Sequence, residues 1–425
     1  MSSIPSKYAA TPTARWMPTR NVMALAAVSF LTDASSEIIA PLLPLFLVGT
    51  LGATVSMVGV IEGSAEAVAS LLKLASGWWS DRVSRRKPLI VAGYAMASLV
   101  RPLVAIAQTA TQVLAIRLVD RVGKGLRGAP RDALLAASTP PEFRGRAFGF
   151  HRAADHAGAM VGPLIALACL QWLGMPVRHV FWVAAIPGAL AVMVAIAFVR
   201  EQRVPPVAAP IVAAPIVTAP IVAAPIVAAP TTPAVTAGPG AALPRSFWLT
   251  MLPILVFTLG NSTDAFLLLR ASQLGVPTAL IPLVWVLLHL VKSASSTPAG
   301  ALSDRVGRRP LIVAGWVLYA AVYAGFSLAA DAWHAWALFG VYGVVFGLTE
   351  GAEKALVADL VPARRRGTAF GWYQATVGVA ALPASIAFGV VWDRYGSPAA
   401  FAMGAALAVG AAVIMSLVVL TPPEA

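Results

Sequence analysis

The chain is poor in cysteine and in charged residues, and each shortage excludes a class of protein. Its single cysteine, Cys169, rules out a disulfide within the chain. Only 12% of the 425 residues are charged, whereas 59% are hydrophobic. A soluble fold of this size could not bury so much apolar surface. The composition therefore indicates a membrane protein.

Sequence signatures of several enzyme classes are also missing. The chain has no Gly-x-x-x-x-Gly-Lys-Ser/Thr loop, so ATP is not expected as a direct energy source. A Gly-x-Gly-x-x-Gly pattern at 123–128 lies inside an apolar run and not in a βαβ unit. His151, Asp155 and His156 come nearest to a metal cluster, but the two histidines cannot share one helical face. We expect no enzyme activity, no metal site and no cofactor.

Apolar windows of about 20 residues, the length that crosses a bilayer, recur along the chain in two groups of six. The sequence therefore predicts an all-α membrane protein with two six-helix bundles, at 22–200 and 245–421, between tails at 1–21 and 422–425. We number the windows as spans 1 to 12; they lie near 22–48, 55–79, 88–108, 111–137, 146–170, 177–200, 246–269, 277–302, 310–330, 333–361, 367–392 and 397–420.

The segment between the two groups, 201–244, is apolar but is not expected to cross the membrane. It contains PIVAAPIVTAPIVAAPIVAAP, with a proline at every fifth residue. Proline removes helix hydrogen bonds, and lipid cannot solvate the extended backbone that results. We predict a polyproline-like linker between the two bundles.

Basic residues concentrate in the loops on one side of the predicted spans. The loops on the other side hold only Arg178, Arg270 and Arg394. Since lysine and arginine favour the cytoplasmic side, both termini and the linker are predicted to be cytoplasmic, in the cell (inner) membrane. The formal charge of +13 is then explained by topology, and no nucleic-acid partner is expected.

One motif occurs twice, half a chain apart. Residues 73–94 read KLASGWWSDRVSRRKPLIVAGY, and residues 295–316 read SSTPAGALSDRVGRRPLIVAGW. A second echo follows, with RGRAFGF at 144–150 and RGTAFGW at 366–372. The chain is therefore predicted to be a duplication. Both motif loops are predicted to be gates in which a carboxylate exchanges basic partners; the residues are Gly77, Asp81, Arg82, Arg85, Gly300, Asp304 and Arg305.

The loop motif, the two six-helix halves and the long linker resemble the major facilitator superfamily of transporters, of the bacterial efflux type. Span 4 carries Arg121-x-x-Lys124-Gly125, similar to a family pattern in which glutamine is common at the place of Lys124. The resemblance implies alternating access, with spans 1, 4, 7 and 10 around a central cavity. It also leads us to expect a small-molecule substrate and a functional monomer.

Span 5 carries a second family pattern. Gly158-x-x-x-Gly162-Pro163 is similar to the glycine-proline signature that the family associates with exporters and antiporters. The second half departs from it, because Leu382 stands before Pro383. The resemblance to this signature implies export, and it rests on the single copy in the first half.

Charged residues occur within the spans themselves, where an ionisable group at mid-depth costs roughly 2.5–3.5 kcal/mol. We expect half or more of them to be permanent ion pairs and the others to change partner or protonation. The proton-coupling candidates are Asp33 and Glu37 of span 1, which we favour, and Glu62 and Glu66 of span 2. The candidates for cavity charges are Arg121, Lys124, Arg127, Asp264 and Glu350.

A further gate is predicted between symmetry-related positions of spans 4 and 10. Arg131 and Asp132 align with Glu353 and Lys354, so an Arg-Asp pair corresponds to a Glu-Lys pair. Opposite charges at these places could close the cytoplasmic mouth in an outward-facing state.

Taken together, the sequence predicts a proton-coupled secondary transporter that exports a small molecule. Acidic and basic residues within the spans are nearly balanced, so the charge of the substrate stays open. One alternative is a proton-coupled importer of an organic anion bound by span 4. Another is a metal-cation exporter that uses the carboxylates of spans 1 and 2.

Overall fold

The computed structural model describes residues 17–80, 85–140, 143–201, 243–361 and 366–418, and the regular elements in these ranges are all helices. Eleven helical segments there are long and apolar enough to cross a membrane. The twelfth, Ala110–Ala137, is 28 residues long but is strongly charged. The predicted all-α, twelve-span architecture is confirmed.

Each half contains six spans. In the first half, spans 1, 3 and 6 are interrupted; the segments are Arg20–Ile39 with Leu43–Gly49, Val55–Ser80, Lys87–Val100 with a 3-10 turn Arg101–Ile106, Ala110–Ala137, Arg144–Gln171, and Val177–Val183 with Ala185–Phe198. In the second half, span 7 is interrupted; the segments are Arg245–Gly260 with Ala265–Gln273, Ile281–Val306, Arg308–Leu328, Ala332–Asp359, Arg366–Tyr395 and Ser397–Leu417.

The two halves pack internally in the same way. Span 1 contacts spans 5 and 6, span 4 contacts spans 2 and 3, and the equivalent contacts recur six spans later. Between the halves, span 2 packs along span 11 and span 5 packs along span 8. The internal symmetry relates each span to the one six positions away, so it converts each of these two contacts into the other. This is expected for a duplication.

Two faces of the bundle differ in how the halves meet. We call the face where span 1 begins the terminal face, and the opposite one, where span 2 begins, the far face. At the far face, Asp393 at the end of span 11 accepts hydrogen bonds from the backbone N–H groups of Val55 (2.9 Å) and Ser56 (2.8 Å). One turn earlier, a Cβ on Gly389 would lie 2.9 Å from the Ser56 nitrogen. The two halves are therefore tightly joined at the far face.

Some predicted features lie outside the described residues. The linker falls there for residues 202–242, as do Asp81 and Arg82 of the first motif loop. The side chain of Asp304 in the second motif loop is also not described. Gly77 lies in the helix of span 2, Gly300 and Arg305 in the helix of span 8, and Arg85 just before span 3.

Candidate functional site

A cavity of about 510 Å³ lies between the two halves. Spans 2, 7, 8, 10 and 11 line it, so it draws on spans 7 and 10 as the resemblance implied and on three further spans. Its residues lie in the middle of spans 2, 7 and 8 and extend toward the terminal face along spans 10 and 11. The charged side chains in its wall are Glu62, Glu66, Asp264, Lys292, Glu350 and Glu353.

The break in span 7 forms one wall of this cavity. The first helix ends at Gly260, and Asn261-Ser262-Thr263-Asp264 follows before the second begins at Ala265. Such side chains compete with the backbone for hydrogen bonds and favour helix ends. The Tyr319 hydroxyl donates to the Gly260 carbonyl (3.1 Å), which satisfies a backbone group that the break leaves free.

Two carboxylates in the cavity wall are held by neutral donors. The Tyr342 hydroxyl donates to Oδ1 of Asp264 (2.8 Å). The Trp316 ring nitrogen and the Tyr373 hydroxyl donate to the two oxygens of Glu353 (3.1 and 2.8 Å). Among the described residues, neither carboxylate forms an ion pair. Sequence reasoning missed these aromatic partners, because aromatic residues in spans are usually packing residues.

A third carboxylate, Glu350, has cationic partners from both halves. Lys354 (2.9 Å) and Lys292 (3.3 Å) come from its own half, and Arg152 (3.6 Å) comes from span 5 of the first half. Lys292 also lies over the ring of Phe346, 4.1 Å from its centre. Glu350 is thus an ion-pair centre that joins the halves on the terminal-face side.

The carboxylates of spans 2 and 4 are paired with arginine. Arg117 binds Glu62 at 2.6 Å, and Arg101 binds Asp120 at 2.8 Å, with Arg121 at 3.8 Å from the other oxygen. Asp120 is 2% exposed and Arg101 6% exposed. Arg101 also donates to Thr32 and Ser35 of span 1, so it faces the bundle interior.

The favoured proton-coupling candidates of span 1 are half-buried and are not among the residues lining this cavity. Glu37 accepts a hydrogen bond from the Trp285 ring nitrogen of span 8 (2.8 Å), which joins the two halves. The charges acting on Asp33 come from Lys124, Arg127 and Arg131 of span 4 and from Asp155 of span 5.

The remaining charges of span 4 take different places. The Arg127 guanidinium is buried over the ring of Tyr94, 4.4 Å from its centre, and so lies against span 3. Lys124 interacts with both Asp33 and Glu37. Arg121 interacts with Glu62 and Glu66 of the cavity wall. Span 4 therefore acts mainly as a set of counter-charges to spans 1, 2 and 3.

The predicted gate between spans 4 and 10 is not formed in this conformation. Arg131 binds its neighbour Asp132 (2.9 Å) and the Ser29 hydroxyl, and Lys354 binds Glu350 of its own helix. Glu353 is enclosed by its aromatic donors. Among the ion pairs between described residues, Arg152–Glu350 is the one that joins the two halves near the terminal face.

The glycine-proline stretch of span 5 lies against span 1. Adding a Cβ to Gly158 would bring it against the Phe30 carbonyl, and one on Gly162 would lie 2.8 Å from Cβ of Glu37. The glycines therefore permit the close approach that sets the depth and rotation of Glu37. Pro163 follows within the same helix.

The histidines of span 5 do not form a metal site with their neighbours. The Nδ1 atom of His151 lies 3.6 Å from Oδ2 of Asp155, one turn later in the same helix, which is longer than a hydrogen bond. Within the described ranges, no group of three or more His, Cys, Asp or Glu side chains is arranged to hold a metal ion.

Comparisons with known proteins agree with this architecture. The family model of the Major Facilitator Superfamily matches residues 25–292 and 265–425. An MFS-type transporter of Methanocaldococcus jannaschii is 30% identical over 397 residues, 92% of each chain. The multidrug resistance protein MdtG of Enterobacter lignolyticus is 26% identical over 342 residues, 78% of this chain and 75% of MdtG.

Solved structures share the fold at low sequence identity. A bacterial homolog of the human lysosomal transporter Spinster, in an inward-facing and occupied conformation, has a TM-score of 0.70 at 16% identity and covers 95% of this chain and 96% of its own. A POT family transporter in complex with 5-aminolevulinic acid has a TM-score of 0.75 at 11% identity, covering 94% and 96%. The resemblance read from the sequence is confirmed, and the chain belongs to the major facilitator superfamily of membrane transporters.

Proposed function

We propose that this chain is a proton-coupled secondary transporter that exports a small molecule across the cytoplasmic membrane by alternating access. The observation that carries the proposal is the cavity between the halves. It is lined by residues of both halves, it extends toward the terminal face, and the hydrogen bonds of Asp393 to Val55 and Ser56 join the halves on its far-face side. A cavity open to one side at a time is what alternating access requires.

The orientation follows from the distribution of charge. The terminal face carries most of the loop arginines and lysines, so by the positive-inside rule it faces the cytoplasm. We therefore assign the conformation described here as inward-facing, with the cavity extending toward the cytoplasm and the Arg152–Glu350 pair crossing between the halves on that side.

Proton coupling is assigned to Asp33 and Glu37. The partner of Glu37 is a neutral donor on the other half, at 2.8 Å. When Glu37 is protonated, Lys124 keeps its interaction with Asp33 and Arg121 keeps Asp120, but the negative charge that the Trp285 N–H group binds is removed. A proton on Glu37 therefore weakens a contact between the halves, which links proton binding to the conformational change.

Export is supported by two features. Gly158, Gly162 and Pro163 resemble the signature of exporters, and one relative is named as a multidrug resistance protein. The organic-anion alternative has less support, because Arg117 and Arg121 of span 4 are already paired with carboxylates.

The test is flux in proteoliposomes that contain the purified full chain and a pH-sensitive dye. A panel of organic cations, organic anions and divalent metal salts is added with and without an imposed pH gradient. We expect at least one compound to move only with the gradient and to carry protons in the opposite direction. Asp33→Asn and Glu37→Gln are expected to abolish this coupling.

The matched control is Asp331→Asn, at an exposed helix start where asparagine caps equally well. Proton movement in this variant should equal that of the wild type. The proposal fails if flux of every transported compound is independent of the gradient, or if Asp33→Asn and Glu37→Gln remain fully coupled.

A further inference from the structure

Acidic residues outnumber basic residues in the cavity wall, although the two kinds are nearly balanced over all the spans together. Among the described residues lining the cavity, five are carboxylates, Glu62, Glu66, Asp264, Glu350 and Glu353, and the basic one is Lys292. Arg117 compensates Glu62, Arg121 interacts with Glu66, and the lysines and Arg152 compensate Glu350. The uncompensated negative charge is therefore on the second half, at Asp264 and Glu353.

Of these two, Asp264 is the one with an oxygen available to a ligand. Both oxygens of Glu353 accept from aromatic donors, and its side chain is buried. In Asp264, Oδ1 accepts from Tyr342, and no hydrogen bond to Oδ2 exists in the described part of the chain. Asp264 is also only half-buried and lines the cavity.

A second observation at the same place is an unused hydroxyl. Ser262, two residues earlier in the break of span 7, is 5% exposed and lines the cavity. Its Oγ atom makes no geometrically formed hydrogen bond in the described residues, and its polar neighbour is the buried Tyr323 hydroxyl, which makes none there either. A buried polar group without a partner costs free energy, so such a group in a cavity wall indicates a place where a ligand or water binds.

The helix break brings two helix ends together, and Asp264 directly precedes the N-terminal end at Ala265, whose partial positive charge its carboxylate offsets. The first helix of span 7 ends at Gly260, beside these residues, and the carbonyl end of a helix carries a partial negative charge. In membrane transporters, half-helix ends at mid-depth coordinate cations in this way.

One cationic group of the protein itself, the side chain of Lys292, is held in the cavity wall. The Lys292 ammonium group lies between the Glu350 carboxylate and the face of Phe346. Asp264 lines the same cavity as Phe346 and Phe257, and one face of Phe257 is stacked on Trp316. A carboxylate together with aromatic faces suits a cation with an apolar body.

We propose that the break in span 7 binds the positive charge of an amphipathic organic cation, with Asp264 as its counter-charge and Ser262 as a hydrogen-bond partner for a protonated amine. This inference names the substrate class of the proposed transporter and rests on that proposal for its biological meaning. It does not depend on proton coupling or on the direction of transport.

The test is equilibrium binding to the purified full chain in detergent, without any gradient. The probes are tetraphenylphosphonium, which has no N–H group, propranolol, which is a protonated amine, and taurocholate, which is an anion. We expect saturable binding of both cations, and a loss of at least about tenfold in their affinity in Asp264→Asn, because a charge-assisted contact is removed. Asp264→Glu should retain part of the affinity, and Asp331→Asn all of it.

Ser262→Ala gives a sharper readout. It should weaken the binding of propranolol severalfold and leave that of tetraphenylphosphonium unchanged, since only the amine can use the hydroxyl. Thermal unfolding of each variant establishes that it is folded. If Asp264→Asn does not fold, Asp264→Glu and Ser262→Ala still decide the outcome by these same comparisons.

Three results would overturn the inference: no saturable binding of either cation, unchanged cation affinity in folded Asp264→Asn, or tighter binding of taurocholate than of both cations. Binding of cations by a protein that shows no proton-coupled flux would instead reject the proposed coupling and leave the ligand class intact. Coupled flux of anions alone would instead reject the proposed ligand class and leave the proposed coupling intact.

Discussion

Two carboxylates in the first half of this transporter are neutralised by arginine, whereas two around the cavity in the second half are held by tyrosine and tryptophan. Asp120 and Glu62 belong to the first group, and Asp264 and Glu353 to the second. Protonating a carboxylate of the first group would leave a buried guanidinium unpaired. Protonating a carboxylate of the second group leaves no charge unpaired, because its partners are neutral hydroxyl and indole groups. The first arrangement suits a rigid support, and the second suits a site that changes its charge or its ligand.

Asp120→Asn should have the largest effect on stability. It would leave Arg101 without a counter-charge in the bundle interior, at a cost of about 3–5 kcal/mol. The expected result is a strong fall in the thermal unfolding midpoint of the purified protein. Asp331→Asn, at an exposed position, serves as the control. An unchanged midpoint for Asp120→Asn would contradict the division into two groups.

Glu62→Gln and Glu353→Gln compare the two groups directly. Glutamine keeps the shape of glutamate, but in Glu62→Gln it leaves Arg117 unpaired, with an expected cost of about 1–3 kcal/mol. In Glu353→Gln the amide oxygen still accepts from Trp316, so a smaller loss is expected. Chemical or thermal unfolding of both variants measures the difference. The comparison breaks down if Glu353→Gln is the less stable of the two.

Trp285→Phe should have the smallest effect on stability and a measurable effect on conformation. It removes one hydrogen bond between the halves, worth about 1 kcal/mol, and so shifts the equilibrium toward far-face opening by roughly fivefold. Cysteines placed at the far-face ends of spans 2 and 11 would report this as faster thiol labelling. Since the native Cys169 is buried, a Cys169→Ala background removes its signal. Labelling equal to that of the unmodified background would argue against a role for this bond.

The twelve spans and the duplication could be predicted because both depend on local sequence. Length, hydropathy and a repeated motif are properties of one segment or of two segments compared. The paired nature of many intramembrane charges was also predictable, since unpaired charges are too costly there. Arg117 with Glu62 is an example.

The particular partners could not be predicted, because they depend on how far each helix is rotated and at what depth it lies. Glu37 bonds to a residue 248 positions away in the chain, and the sequence offers many acceptors for Trp285. A search for opposite charges also overlooks Tyr342, Trp316 and Tyr373, which are neutral. The signal that could have found the site was the run Asn261-Ser262-Thr263-Asp264, four helix-capping residues at the middle of an otherwise apolar span.

Asp393 also extends the repeated motif, since Gly389-x-x-x-Asp393-Arg394 places the same spacing at the far end of span 11. Its carboxylate completes the first turn of a helix that belongs to the other half. If the halves part at this face during a cycle, water can take over both amides, and exchanging a protein acceptor for water costs only about 0.5–1.5 kcal/mol per bond. The seal therefore depends on a bond that solvent can replace, so outward opening need not overcome a large barrier there, and the same bond reforms on each return.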